Sequence, residues 1–216
     1  MYHYIRFNPV PSDTLGFNLS VTPPDFDAQM KFLATRGYHT VNLGDLGSAN
    51  TAVGKPIVIT FDDGYADAYT SAKPTLERYG FRGTFYLITG LIGNPRYVSW
   101  DQARSLAFSG HVLGSHTIDH PSLAALGPVA LRHQLAGSRV DIEINTGRAV
   151  TDLCYPSGFY SASAISVARE VGYRTATTTQ GGIWTAGADP FQLPRVRISG
   201  GLTLAGFASL LGEPPP

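Results

Sequence analysis

Two adjacent carboxylates, Asp62 and Asp63, close the apolar run Pro56-Ile57-Val58-Ile59-Thr60-Phe61 and are followed at once by Gly64. Buried charges at such a place are costly unless a cation or hydrogen-bonded partner balances them. Read alone, an Asp-Gly step is as much a turn or a helix N-cap as a reactive site. A second cluster changes that reading: His116 and His120, in Ser115-His116-Thr117-Ile118-Asp119-His120, follow another apolar run. Histidines at i and i+4 share one face of a helix. Two imidazoles joined by a carboxylate from elsewhere make an open three-ligand set that leaves a place for water on a divalent metal. One carboxylate of the Asp pair can then ligate while the other stays free as a base.

These residues need a scaffold that brings distant strand ends together. Short runs rich in Val, Ile, Thr and aromatics alternate with helix-period segments, the pattern of a parallel sheet with crossover helices. Strands are expected at 2 to 6, 39 to 43, 56 to 61, 83 to 88, 111 to 115, 151 to 155, 173 to 178 and 194 to 198. Helices are expected at about 25 to 36, 66 to 79, 100 to 109, 128 to 145, 161 to 171 and 203 to 211. Ser99 with Gln102 has the form of a capping box, and Gly37, Gly80, Gly110 and Gly172 stand where C-terminal caps belong. Pro74 should kink or interrupt the second helix. Seven to eight parallel strands in this order predict an α/β fold, a (β/α) barrel that is distorted or incomplete, with its chemistry at the C-terminal strand ends. Both clusters follow such ends. There the chain turns, helped by Gly64, so that both carboxylates can face the barrel mouth.

The 216 residues carry 16 Lys+Arg against 16 Asp+Glu, a formal net charge of zero. Only 15% are charged whereas 43% are hydrophobic, a composition that folds rather than one that stays disordered. One domain is expected over 1 to 213, with Pro214-Pro215-Pro216 as a frayed tail or the start of a linker. No apolar stretch reaches the roughly 18 residues of a membrane span. No basic run points to nucleic acid or anionic lipid. The lone Cys154 excludes an intramolecular disulfide and a cysteine-based zinc site. Met1-Tyr2-His3-Tyr4-Ile5 reads as a strand, so an export signal is expected to be absent or removed before this numbering begins.

The Thr60-Phe61-Asp62-Asp63-Gly64 and His116-Thr117-x-x-His120 motifs resemble those of the polysaccharide deacetylases, the NodB-homology or carbohydrate esterase family 4 proteins. Weaker matches follow in the family's order: Tyr2-His3-Tyr4, Gly83-Thr84-Phe85, Ser99-Trp100, Tyr155-Pro156-Ser157-Gly158 and Leu193-Pro194-Arg195. The resemblance implies a metal-dependent hydrolase removing acetyl groups, N-acetyl ahead of O-acetyl, from an acetylated glycan such as a chitin-like polymer, peptidoglycan, poly-N-acetylglucosamine or xylan. It implies Asp63, His116 and His120 as metal ligands, with zinc first and cobalt or nickel as alternatives, and Asp62 as general base. It also implies a secreted or cell-envelope setting, and a monomer is the working expectation.

Departures from the family pattern are informative. Cys154 stands where many members carry an arginine that orients the base, and a neutral thiol does not replace that cation. Arg195 is the expected substitute. Ser157 replaces the usual aromatic after Pro156; its N–H can still serve the oxyanion, but a wall of the sugar cleft is lost. No histidine follows His133, so the late Leu-x-His motif is missing. His3 instead matches members whose acid histidine lies near the N-terminus. Trp184 is the better candidate for stacking on a sugar, whereas Trp100 suits the core. Two alternatives stay open: a catalytically inactive glycan-binding relative, motivated by Cys154 and Ser157, and a metal-dependent amidase on small cyclic amides in a related barrel.

Overall fold

The computed structural model describes residues 1–48 and 54–216. In chain order its elements are β1 (Tyr4–Ile5), α1 (Thr14–Leu19), β2 (Ser20–Val21), α2 (Pro23–Thr35), β3 (Tyr38–Thr40), β4 (Lys55–Ile57) and β5 (Ile59–Phe61). There follow α3 (Lys73–Arg78), β6 (Gly83–Leu87), α4 (Trp100–Phe108), β7 (Val112–Ser115), α5 (Pro128–Thr146), β8 (Asp152–Cys154), α6 (Ala162–Glu170), β9 (Thr175–Thr177) and α7 (Leu204–Leu210). Strands β5 to β9 form one parallel sheet in sequence order, while β1 pairs β2 and β3 pairs β4. Every residue of β5, β6, β8 and β9 is buried, as expected of parallel strands covered on both faces.

The curled sheet closes through isolated bonds rather than a full ladder. Thr177 bridges Leu193, and Tyr2 bridges Phe61. Between these, Val196 O accepts from the Met1 nitrogen at 2.8 Å and Ile198 N–H donates to Met1 O at 3.1 Å. Strands β5 to β9, segment 193–198 and segment 1–2 thus complete a distorted (β/α) barrel. The expected strand at 194 to 198 is an irregular seam, since Pro194 has no N–H to offer a ladder. The expected strand at 56 to 61 divides at Val58 into β4 and β5, which join different sheets.

Local chemistry sets the helix ends. The Ser99 capping box is formed on both sides, with Gln102 N–H donating to Ser99 Oγ at 3.2 Å and Ser99 N–H to Gln102 Oε1 at 2.8 Å. A π-helical turn over Ala68–Ala72 precedes α3, which places Pro74 in a first turn where its missing donor costs little. Helix α1, capped by Asp13, was not expected from periodicity; at six residues it is too short to show one. Behind the barrel, Phe61 stacks on Phe85 at 4.7 Å and on Tyr2 at 5.5 Å, and Phe26 meets Tyr2 edge-on at 5.1 Å. Burial of each ring contributes roughly 1.5–3 kcal/mol. This stack anchors β5, the strand from which the two carboxylates emerge.

Candidate metal centre and active site

Asp62 continues β5, its N–H donating to Tyr2 O at 2.9 Å. Asp63 then adopts φ 73° and Gly64 φ 76°. An extended strand would send the two carboxylates to opposite faces. Two consecutive left-handed residues reverse the chain instead, and the turn begins one residue earlier than Gly64. His116 follows β7 in the same way, with its N–H on Leu87 O at 2.8 Å. The stretch from His116 to His120 is a loop and not the expected helical turn. Ser115 Oγ accepts from Thr117 N–H at 3.1 Å and Thr117 Oγ1 from His120 N–H at 3.0 Å, side-chain bonds that compete with helical ones. Thr117 and His120 take φ 69° and 57°, and the imidazoles of His116 and His120 meet edge-on with centroids 4.7 Å apart.

Asp63, His116 and His120 converge, with one ligand atom from each lying within 4.8 Å of the others. Asp63 Oδ1 is 3.3 Å from His116 Nε2 and 3.7 Å from His120 Nε2. A tetrahedral ion with ligand bonds near ~2.0–2.1 Å has donor–donor edges of roughly 3.4 Å, so the spacing suits a divalent cation. His116 Nδ1 lies 2.8 Å from Cys154 O, and a proton donated there leaves the Nε2 lone pair facing Asp63. Asp62, His116 and Cys154 also lie within 4.8 Å of one another. That set suits a metal less well, because Asp62 is engaged by a guanidinium and His116 Nδ1 by a carbonyl.

The guanidinium is that of Arg195. Its Nη1 and Nη2 donate to Asp62 Oδ1 and Oδ2 at 2.6 and 2.8 Å. Nη1 also reaches Thr60 Oγ1 at 3.1 Å, Nε the Thr178 carbonyl at 2.9 Å, and Nη2 the Cys154 sulfur at 3.1 Å. Asp62 is 3% exposed and Arg195 7%. Burial pushes the Asp62 carboxyl up, but the charge and hydrogen bonds of Arg195 outweigh it and hold the group well below the usual carboxylate range. Asp62 is therefore ionised at neutral pH without being needed as a ligand. His3 Nε2 stands 4.0 Å from Asp62 Oδ2. Burial lowers the His3 pKa from its ordinary value, against the raising influence of Asp62 and Asp63.

Ser157 lies exposed in the tight turn Pro156–Gly158 with φ 53°. Among the described residues, the non-glycine positions with positive φ are Asp63, Thr117, His120 and Ser157, and each follows the C-terminal end of a strand of the β5 to β9 sheet. Such conformations cost on the order of 1–3 kcal/mol each and persist only where the surroundings impose them.

An aromatic wall escaped the sequence reading. Tyr65 stacks on Tyr4 at 3.7 Å and faces Tyr97 at 5.1 Å, while the Arg6 guanidinium covers Tyr4 at 3.3 Å. Burial first, then the nearby Asp63, raise the Tyr65 pKa; burial first, then Tyr4 and only after it Asp63, raise that of Tyr97. Adjacency to Gly64 and to His3 was the available signal for Tyr65 and Tyr4. Tyr97 is reached only through its antiparallel bridge to Tyr65. Trp100 packs on the main core as expected, and Trp184 packs against the smaller cluster of Leu43, Tyr86, Cys154 and Leu193.

Comparison with known proteins identifies the family and the fold. The family model described as polysaccharide deacetylase matches residues 49–176. The YxkH protein of Bacillus subtilis (strain 168), whose name places it among polysaccharide deacetylases, is 32% identical over 215 residues, covering 98% of this chain and 74% of its own. The peptidoglycan-N-acetylmuramic acid deacetylase PdaA of the same organism is 26% identical over 175 residues, covering 77% of this chain and 61% of its own. Among solved structures, the Streptococcus pyogenes deacetylase PplD in complex with acetate superposes with a TM-score of 0.89 at 27% identity, over 100% of this chain and 96% of that one.

Proposed function

The chain belongs to the polysaccharide deacetylase family, hydrolases that remove acetyl groups from glycans, and from that premise we propose a metal-dependent de-N-acetylase acting on a poly- or oligosaccharide. Asp63, His116 and His120 would hold a divalent cation, zinc in first place, with cobalt or nickel as alternatives. Such an ion supplies polarisation of the acetyl carbonyl and acidification of the attacking water. Asp62, kept charged by Arg195, takes the proton of that water. The Ser157 N–H is the backbone donor for the oxyanion. His3, 4.0 Å from Asp62 Oδ2, would receive from Asp62 the proton taken from the water and deliver it to the leaving amine. Tyr4, Tyr65 and Tyr97 line the sugar path in place of the aromatic lost at Ser157.

The observation that carries this reading is the separation of roles between neighbours: Asp63 faces two imidazoles while Asp62 faces a guanidinium. It also weakens one of the two motives for the inactive-relative alternative, the missing cation at Cys154, and leaves the other, Ser157, as it was. The names of the relatives favour cell-wall glycans, with peptidoglycan first. The test is acetate release from peptidoglycan, chitin oligomers, poly-N-acetylglucosamine and acetylated xylan before and after chelation and zinc repletion. Release that stops on chelation and returns with zinc is the expected result. The reading is wrong if none of the three N-acetylated glycans yields metal-dependent acetate; release from acetylated xylan alone would make the protein an O-deacetylase instead.

A further inference from the structure

Helix α5 passes behind the loop that joins His116 to His120, and among its buried residues Leu131, Leu135 and Ile142 stand two polar ones, Gln134 and Ser138, with the half-buried Asp141 one turn on. Gln134, Ser138 and Asp141, at i, i+4 and i+7, share one face. A helix that covers a sheet ordinarily presents an apolar stripe, and buried polar groups are tolerated only when bonded. Each of these three bonds toward the same loop. Gln134 Oε1 accepts from the N–H groups of Ile118 and Asp119 at 3.0 and 3.1 Å, and Gln134 Nε2 donates to Asp119 Oδ2 at 2.8 Å. Ser138 Oγ lies 2.7 Å from Ser115 Oγ, the atom that accepts from Thr117 N–H. Asp141 Oδ2 accepts from the Thr89 hydroxyl at 2.7 Å, and the N–H groups of Thr89 and Gly90 bind the carbonyls of Thr117 and Ile118 at 3.1 and 2.9 Å.

The loop so gripped contains two left-handed non-glycine residues, Thr117 and His120, whose conformation does not persist without external constraint. We propose that the polar face of α5, and Gln134 above all, is the template that sets the separation of His116 and His120 and so governs affinity for the metal. Gln134 is a positioning residue: it touches neither substrate nor metal and acts through Ile118 and Asp119. The inference rests on the metal reading of Asp63, His116 and His120.

The test compares wild type, Gln134→Leu, Gln134→Glu and the double variant Gln134→Glu/Asp119→Asn, each freed of metal and titrated with Co²⁺ at pH 7.5. The readouts are the dissociation constant and the visible d–d spectrum, with thermal unfolding of the metal-free forms in parallel. Gln134→Leu should weaken cobalt binding up to about tenfold and alter the spectrum, less than the roughly 10- to 100-fold that follows loss of a group bonded to a ligand itself, since Gln134 acts through Ile118 and Asp119. Gln134→Glu should weaken it too, by setting a carboxylate against Asp119. The double variant restores one donor facing one acceptor and should recover wild-type affinity to within about threefold. Wild-type affinity and spectrum in Gln134→Leu would overturn the proposal. If that variant does not fold, failure of the double variant to recover over Gln134→Glu overturns it instead. No cobalt uptake by wild type would sink the metal reading and this inference together, whereas cobalt uptake without acetate release would sink only the deacetylase assignment.

Discussion

Arg195→Met tests the site where packing, charge and chemistry meet. The substitution keeps much of the side-chain volume but removes both donors to Asp62, together with those to Thr60, Thr178 and Cys154. Stripping the cation from a buried carboxylate costs about 3–5 kcal/mol, because the remaining charge is neither hydrated nor paired. For a domain of this size that is a fall in melting temperature of roughly 10 °C. The sign of the pH dependence follows. In wild type the Asp62 pKa is depressed, so its stabilisation is complete above the unfolded value of about 3.9 and is lost as pH falls through the lower folded value. In the variant burial is opposed only by the weaker influence of His3 and His116, so the pKa rises and protonation relieves the penalty as pH falls. Between pH 8 and pH 4 the wild-type contribution stays nearly constant while the variant recovers, so the difference between the two proteins narrows with decreasing pH. Urea unfolding of the chelated proteins from pH 8 to pH 4 measures it, and Arg195→Met/Asp62→Leu should recover most of the loss, since a buried pair replaced whole by apolar groups is often neutral. A cost below about 1 kcal/mol, or a gap that does not change with pH, would refute the argument that Arg195 is what chiefly keeps Asp62 charged.

Two further outcomes separate the roles within the site. His3→Ala should lower turnover about 10²- to 10⁴-fold while retaining metal, whereas His116→Ala should abolish metal uptake; acetate release and bound-metal analysis distinguish them, and normal turnover in His3→Ala would show that the proton comes from elsewhere. Ser157→Val, which forces a β-branched side chain into a backbone with φ 53°, should lose about 1–2 kcal/mol in urea unfolding, while Ser157→Gly should be neutral or slightly stabilising.

Alternation of short apolar runs and helix-period segments was enough to predict the barrel, because parallel strands buried on both faces leave that composition. What it missed depends on non-local or very local geometry. The break at Val58 is invisible in Pro56-Ile57-Val58-Ile59-Thr60-Phe61, since residues on either side are equally apolar and only their partners differ. The pair Asp62 and Asp63 and the pair His116 and His120 were legible as ligand types. The loop between the histidines was not, because nothing in a spacing of four distinguishes a helical turn from a chain held in the left-handed region by Ser115, Thr117 and Gln134. The aromatic wall was hidden for a different reason: Tyr4, Tyr65 and Tyr97 come from three separate segments and meet only in the fold.

Cys154 and Arg195 make physical sense as one feature. Both side chains point at Asp62: the Cys154 sulfur is 3.1 Å from Arg195 Nη2 and 3.6 Å from Asp62 Oδ2. A guanidinium from each position would set two cations against a single carboxylate in a space sealed from water, leaving one of them unpaired. The small side chain of Cys154 is therefore the condition for an arginine arriving from the other side. That change of origin has a structural consequence. An arginine on β8 would stand on a regular parallel strand, whereas Arg195 stands on the seam, where the barrel closes through scattered bonds. Its paired hydrogen bonds to Asp62 run from the seam to β5 and are among the contacts that close the ring. Until the seam is in place, Asp62 has no cation, so the same contact that completes the barrel also sets the charge of the proposed base.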